Sequence, residues 1–306
     1  MDKRMVLYRG SLKSCNYRCS YCPFSKHPMT DRELSADRER WISFIGSYRE
    51  KAAALKLGAL MVVPYGEAML HPWYREGLAR ISALPWTDAV GAQTNLSYSA
   101  EELLSDYRRA GGVTEKLQLW ATFHPQMTEI TEFAGKCTVL RDAGVRVCAG
   151  CVGVPENLEI IERLRESLPR DIYLWINKLD GLRREYTPEE KEAFSGIDPF
   201  FYLELTPVPA DPAQCRGRLF VEGDGRLRTC NVGPVLGRRW EELDGEENFP
   251  APLCRRKQCS CYLAYGGRED FVQKSMFGQY PLFRVLRDGK LPKPRKTPCK
   301  SSKPVI

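Results

Sequence analysis

Six alternations of apolar strand and amphipathic helix across residues 5–195 predict an α/β fold with a parallel sheet, either an open partial (β/α)6 TIM-like barrel or a doubly wound sheet, with a small cysteine-rich domain behind it. Two observations carry that prediction. The strands are short and almost wholly apolar, as strands covered on both faces are, and the intervening helices are long enough for parallel crossovers. Beyond residue 200 the alternation stops and cysteines gather, marking a second unit.

Residues 5–9 form the first strand. The first helix, 35–55, carries Trp41, Phe44, Ile45, Tyr48, Ala52 and Leu55 at three- and four-residue intervals. Residues 57–63 make the second strand, ended by Pro64 and Gly66, and a helix follows over 72–84. The third strand spans 88–94, and its helix, marked by Leu103, Tyr107 and Ala110, is stopped by Gly111 and Gly112. In the fourth strand, 117–123, Leu117, Leu119, Ala121 and Phe123 share one face, with Gln118, Trp120, Thr122 and His124 on the other. Ile130, Phe133, Ala134, Cys137 and Leu140 stripe the fourth helix, so Cys137 reads as core. Strand 145–152, helix 156–168, strand 171–176 and a short helix over 188–194 complete the series. Six units cannot close an eight-stranded barrel. The expected divisions are a barrel over 1–199, a cysteine-rich domain over 200–280 and a basic tail over 281–306.

Composition narrows the function classes. The chain of 306 residues carries a net charge of +7 and no apolar run of membrane-spanning length, which predicts a cytoplasmic protein. Its twelve cysteines, in a reducing compartment, point to metal ligation before disulfides. Part of the positive charge sits in the Lys-, Arg- and Pro-rich end, which reads as a solvated tail, so nucleic acid is not the expected partner.

The most informative stretch is Cys15-x3-Cys19-x2-Cys22, with Tyr21 before the last cysteine, directly after the first strand. Three thiolates on one loop suit three irons of a [4Fe–4S] cube and leave one iron open, whereas a structural zinc site wants four closed ligands. This spacing resembles the signature of the radical S-adenosylmethionine enzymes. The resemblance implies a partial barrel with the cluster at the top of its first strand. S-adenosylmethionine would chelate the open iron and be cleaved to a 5′-deoxyadenosyl radical that abstracts hydrogen from substrate.

Further positions follow from the same resemblance. Gly66 and Glu67, in Pro64-Tyr65-Gly66-Glu67-Ala68, are similar to the centre of the family's Gly-Gly-Glu-Pro motif, which contacts the cofactor's ammonium. Tyr65 and Ala68 depart from it. Asn95 ends the third strand, where polar groups reach the cofactor's ribose or carboxylate, although it also stands where a helix cap would. Val152 opens a segment resembling the one that packs on the adenine. The polar face of the fourth strand, not the resemblance, makes His124 at its end the candidate catalytic group near substrate or cofactor. Its plain alternative is that His124-Pro125 opens a turn. Tyr173, Trp175 and Asn177 on the sixth strand are expected to line the lumen with the polar face of the fourth. Cys148 and Cys151, three apart on a strand, face opposite ways and cannot chelate together.

Residues 219–228 read as a β-hairpin with an Asp224-Gly225 turn, flanked by Cys215 and Cys230 and followed by Cys254, Cys259 and Cys261. This arrangement looks like the opening of the SPASM/twitch extension of the same family and implies an auxiliary [4Fe–4S] cluster. Its ligands would be Cys215, Cys230, Cys254 and either Cys259 or Cys261, with structural zinc as the rival. Residues 262–266 resemble a short subgroup of the family, a likeness that names no substrate. The implied activity is oxidation or cross-linking of a peptide, protein or natural product, served by a low-potential electron donor. With its first cysteine at residue 15 the chain leaves no room for a leader-binding domain, which weighs against a ribosomal-peptide substrate unless a separate partner supplies one. Radical-based RNA modification and a non-catalytic iron–sulfur electron carrier or sensor are the competing classes.

Overall fold

The computed structural model describes residues 3–22, 24, 27–266, 268 and 273–289. Its central sheet is built from β1 (Arg4–Gly10), β2 (Leu57–Val62), β3 (Ala89–Thr94), β4 (Leu117–Thr122), β5 (Arg146–Gly153) and β6 (Tyr173–Lys178). These strands are parallel and lie in chain order. The crossovers run through α1 (Asp31–Lys51), α2 (Pro72–Ser82), α3 (Ala100–Arg109), α4 (Ile130–Asp142) and α5 (Leu158–Ser167), and α6 (Pro188–Ile197) follows β6. Local chemistry starts the helices. Thr30 with Glu33 and Thr187 with Glu190 form capping boxes that satisfy the first orphan N–H groups of α1 and α6. The α1 boundary therefore falls before the expected residue 35, because the cap lies outside the apolar stripe.

After α7 (Phe201–Leu205) and β7 (Val208–Pro209), β8 (Arg218–Glu222) pairs parallel with β1, and β9 (Leu227–Arg228) folds back antiparallel on β8. The eight-stranded order β6-β5-β4-β3-β2-β1-β8-β9 leaves β6 and β9 as edges, so the α/β sheet is an open partial barrel. The hairpin lies in the barrel's own sheet, and the cysteine-rich region is thus continuous with it. A separate two-stranded sheet joins β7 to β10 (Gln258–Cys259), and α8 (Tyr262–Tyr265) and α9 (Gln273–Phe277) follow.

The outer face of the sheet packs on the helices. Leu117, Leu119, Ala121 and Phe123 lie in this core with Trp41, Tyr48 and Cys137. The inner face forms a second core containing Met5, Leu7, Met61, Trp120, Cys148, Tyr173, Trp175 and Phe220. Cys148 and Cys151 fall in different cores, on opposite faces of β5.

One expectation is overturned here. The tail does not begin at residue 281: Leu282, Phe283, Val285 and Leu286 are buried against the inner face of the barrel. At Gly91 of β3 a β-carbon would collide first with the Gln118 carbonyl of β4 and then with the Phe283 ring. Arg284 turns back in the left-handed region, at φ +58°, and its guanidinium carbon lies 3.6 Å from the ring centroids of Trp120, Trp175 and Tyr262. Trp120 and Trp175 face inward as the strand pattern predicts, but there they meet the chain's own C-terminal residues. The basic residues from 290 onward lie outside the described region.

Candidate active site

Parallel strands leave their C-terminal ends at one rim, and the loops after β1 to β5 gather there. The loop after β1 is pinned before its first cysteine. Asp37 of α1, fully buried, accepts from Ser11 Oγ at 2.8 Å and from Tyr74 Oη at 2.9 Å.

The loop turns through Tyr17 N–H to Cys15 Sγ at 3.4 Å and Cys22 N–H to Cys19 carbonyl at 3.2 Å. Neighbouring loops clasp it. Asn95, at the end of β3, donates from Nδ2 to Cys15 Sγ at 3.5 Å and to Asn16 Oδ1 at 3.1 Å. Gln126, in the turn after β4, exchanges hydrogen bonds with Ser20 through Oε1 and Nε2 at 3.0 and 2.9 Å. Asn16 and Gln126 are missed by motif reading because neither belongs to a spacing pattern.

Gly66 sits against the same loop. A β-carbon there would run into the Ser14 carbonyl, which accepts from Glu67 N–H at 3.0 Å. The Glu67 side chain faces inward. Oε1 accepts from Met69 N–H at 3.0 Å and Thr94 Oγ1 at 2.8 Å, and Oε2 from Asn95 N–H at 2.6 Å. The carboxylate therefore ties the ends of β2 and β3 together, and burial pushes its pKa up to about 7. With both oxygens engaged, the Gly66-Glu67 segment has backbone rather than side chain to offer an ammonium.

His124 meets the cysteine loop directly, with Tyr21 Oη 2.9 Å from Nδ1 and the Tyr21 ring stacked on it. Burial lowers the imidazole pKa to about 4, so the ring is neutral near pH 7 and has a lone pair for the phenol. Val152 is half-buried on β5, paired with Asn177 of β6. Beside it, Glu204 of α7 accepts from Trp175 Nε1 at 3.2 Å and Asn177 Nδ2 at 3.4 Å, another group the sequence did not single out.

The thiols of the loop are crowded. Burial, then the neighbouring Cys22 and Cys15, push Cys19 up to about 12, and burial raises Cys15. A cationic metal group reverses that penalty, since ligation releases the thiol protons.

The C-terminal cysteines divide. Cys215, Cys230, Cys254 and Cys259 line one narrow cavity of about 10 Å³, together with Arg218. Pairing of β7 with β10 brings in Cys259, and β8–β9 brings in Cys215 and Cys230 at either end of the hairpin. Cys261 lies outside that lining, where its Sγ accepts from Asn231 Nδ2 at 3.1 Å. Arg218 is 3% exposed, and its Nε and Nη1 have no hydrogen-bond partner among the described residues. Orphaned donors beside four thiols fit a sulfur-rich anionic group in the cavity. All cysteines among the described residues are free of disulfides. Among the described residues, too, no three His, Cys, Asp or Glu side chains converge as the ligands of one metal ion do. Thiols that each grip a separate iron stand further apart than the ligands of a single zinc ion.

No helix among the described residues is long and apolar enough to cross a membrane. No protein-family model matches the sequence, and neither does any curated protein. Among solved structures the chain is similar to native anSMEcpe with bound AdoMet, at a TM-score of 0.50 and 14% identity over 79% of each chain. It also matches native anSMEcpe with AdoMet and a peptide, at 0.49 and 14% over 89% of each. BtrN in complex with AdoMet and 2-DOIA follows at 0.37 and 14%, over 80% of this chain and 81% of that one. The first likeness supports the fold, and the other two are too distant to weigh.

Proposed function

We propose that this chain is a radical S-adenosylmethionine enzyme, with Cys15, Cys19 and Cys22 holding a [4Fe–4S] cluster. The observation that carries the reading is the clasp on the cysteine loop. Asn95 donates to Cys15 Sγ, and Gly66 and Glu67 pack on Ser14, so three segments singled out by sequence meet at one strand-end rim. When bound, the cluster supplies the electron that splits S-adenosylmethionine into methionine and a 5′-deoxyadenosyl radical. The protein's part is to hold and position. Asn95 and the Tyr17 amide lower the charge felt at Cys15 Sγ, Gln126 fixes the middle of the loop, and Glu67 keeps the β2 and β3 ends in register.

A second, auxiliary cluster in the cavity of Cys215, Cys230, Cys254 and Cys259 belongs to the same reading. Four protein ligands leave it no open iron, which suits an electron acceptor better than a substrate-binding centre. The reaction class is therefore oxidation or cross-linking of a peptide, protein or natural product, fed by a low-potential electron donor. The decisive test is anaerobic reconstitution, reduction and addition of S-adenosylmethionine, with 5′-deoxyadenosine read by chromatography. Product from the wild type and none from the C15A/C19A/C22A chain is expected. Product from the triple variant would overturn the assignment.

A further inference from the structure

Arg218 is the first residue of β8, paired with Met5 of β1, so its backbone is held inside the sheet. Its Nη2 donates to the Ala264 carbonyl of α8, which fixes the direction of the planar guanidinium. That anchor leaves Nε and Nη1 buried without a hydrogen-bond partner among the described residues, in a side chain that lines the cavity of the four thiols and acts on Cys215. A guanidinium stripped of water is costly to bury unless acceptors meet its donors. Arg268 lies close enough to act on Cys215 and Cys259 and is itself buried, its Nη1 donating to the Pro209 carbonyl of β7. Two buried positive charges thus face one cluster of thiols, with Arg218 alone lining the cavity.

We propose that Arg218 is a positioning residue for the auxiliary group: its Nε and Nη1 donate to the sulfur atoms there, favour the reduced state and so make the group an electron acceptor. This rests on the reading of an auxiliary iron–sulfur cluster in that cavity. Added negative charge on reduction strengthens both the charge–charge attraction and the N–H···S bonds, so the reduction potential rises. The planar fork matters as well as the charge, because only Arg presents parallel donors while keeping a third on Ala264.

The test uses the full chain with C15A/C19A/C22A, which leaves the C-terminal cysteines as the remaining cluster ligands. After anaerobic reconstitution with iron and sulfide, iron content and an EPR-monitored redox titration are compared for Arg218, Arg218→Met and Arg218→Lys. Arg218→Met is expected to keep its iron and to lower the reduced-to-oxidised ratio at fixed potential about tenfold, about 59 mV for one electron. Arg218→Lys should fall between. An unchanged potential in Arg218→Met with iron retained overturns the proposal. If Arg218→Met fails to fold or loses iron, Arg218→Lys decides: a lowered potential supports the proposal and the parent value overturns it. Zinc, or no iron, in the C15A/C19A/C22A parent is a separate failure, that of the auxiliary-cluster reading itself.

Discussion

Asn95 and Cys15 lie eighty residues apart in sequence, yet Asn95 Nδ2 stands 3.5 Å from Cys15 Sγ and donates to it. The same amide reaches Asn16, and the Asn95 backbone N–H reaches Glu67. One residue thus joins the loops after β1, β2 and β3. Asn95→Ala is expected to cost about 1–2 kcal/mol of stability and to cut 5′-deoxyadenosine formation at least tenfold. Iron content, product rate and urea unfolding check it, and a rate that falls only in step with folded fraction would reduce Asn95 to scaffolding.

Glu67 gives the protein a pH signature. Burial favours its neutral form, so the stability it contributes is fully present below about 4.5 and is lost as pH rises through about 7. Asp198, also buried and held by Tyr173 and the Ile176 and Phe200 amides, has its pKa pushed up to about 6 and acts in the same direction. Urea unfolding of wild type and Glu67→Gln at pH 5 and pH 8 should show a smaller loss with pH in the variant. Equal losses in the two chains would remove Glu67 from the pH response.

The Tyr21–His124 contact predicts coupling rather than acid–base chemistry. A ring with its pKa near 4 does not titrate in the working range, so 5′-deoxyadenosine formation should lack a His124 limb between pH 6 and 9. Tyr21→Phe and His124→Phe each remove one 2.9 Å hydrogen bond, and the double variant should lose little more cluster than either single one. Additive losses would separate the two residues.

Arg284 is caged by three rings, while its Nε, Nη1 and Nη2 have no hydrogen-bond partner among the described residues. Cation–π attraction offsets part of the desolvation, by about 2 kcal/mol or more where water is excluded. Arg284→Met keeps the length and drops the buried charge, so its melting temperature should match or exceed that of wild type. Arg284→Ala should lose about 2–4 kcal/mol by opening a cavity. Equal damage from both would mean that the charge itself is needed.

Residue periodicity makes the sheet and helices legible because each strand and helix carries its own apolar pattern. The cysteine loop is legible because its ligands are close in sequence. The inward turn of Glu67 is hidden, since a carboxylate near an ammonium site and one tying two strand ends look the same in a string of residues. So is the choice of Cys259 over Cys261 at the cavity: one intervening residue separates them, and the pairing of β7 with β10 decides between them. The burial of residues 281–286 is invisible for another reason. Prolines and arginines around that short apolar run give it the composition of a tail, and what buries it is a surface assembled from strands far apart in sequence.

The floor of the barrel is made from the chain's late residues, and β1 gains its second neighbour only when Arg218–Glu222 has been synthesised. On the ribosome, the first six strand–helix units must therefore wait with one sheet face bare until Phe283 and its neighbours emerge. Nascent chains halted near residue 200 should stick to hydrophobic surfaces and holdase chaperones, and emergence of residues 218–286 should free them.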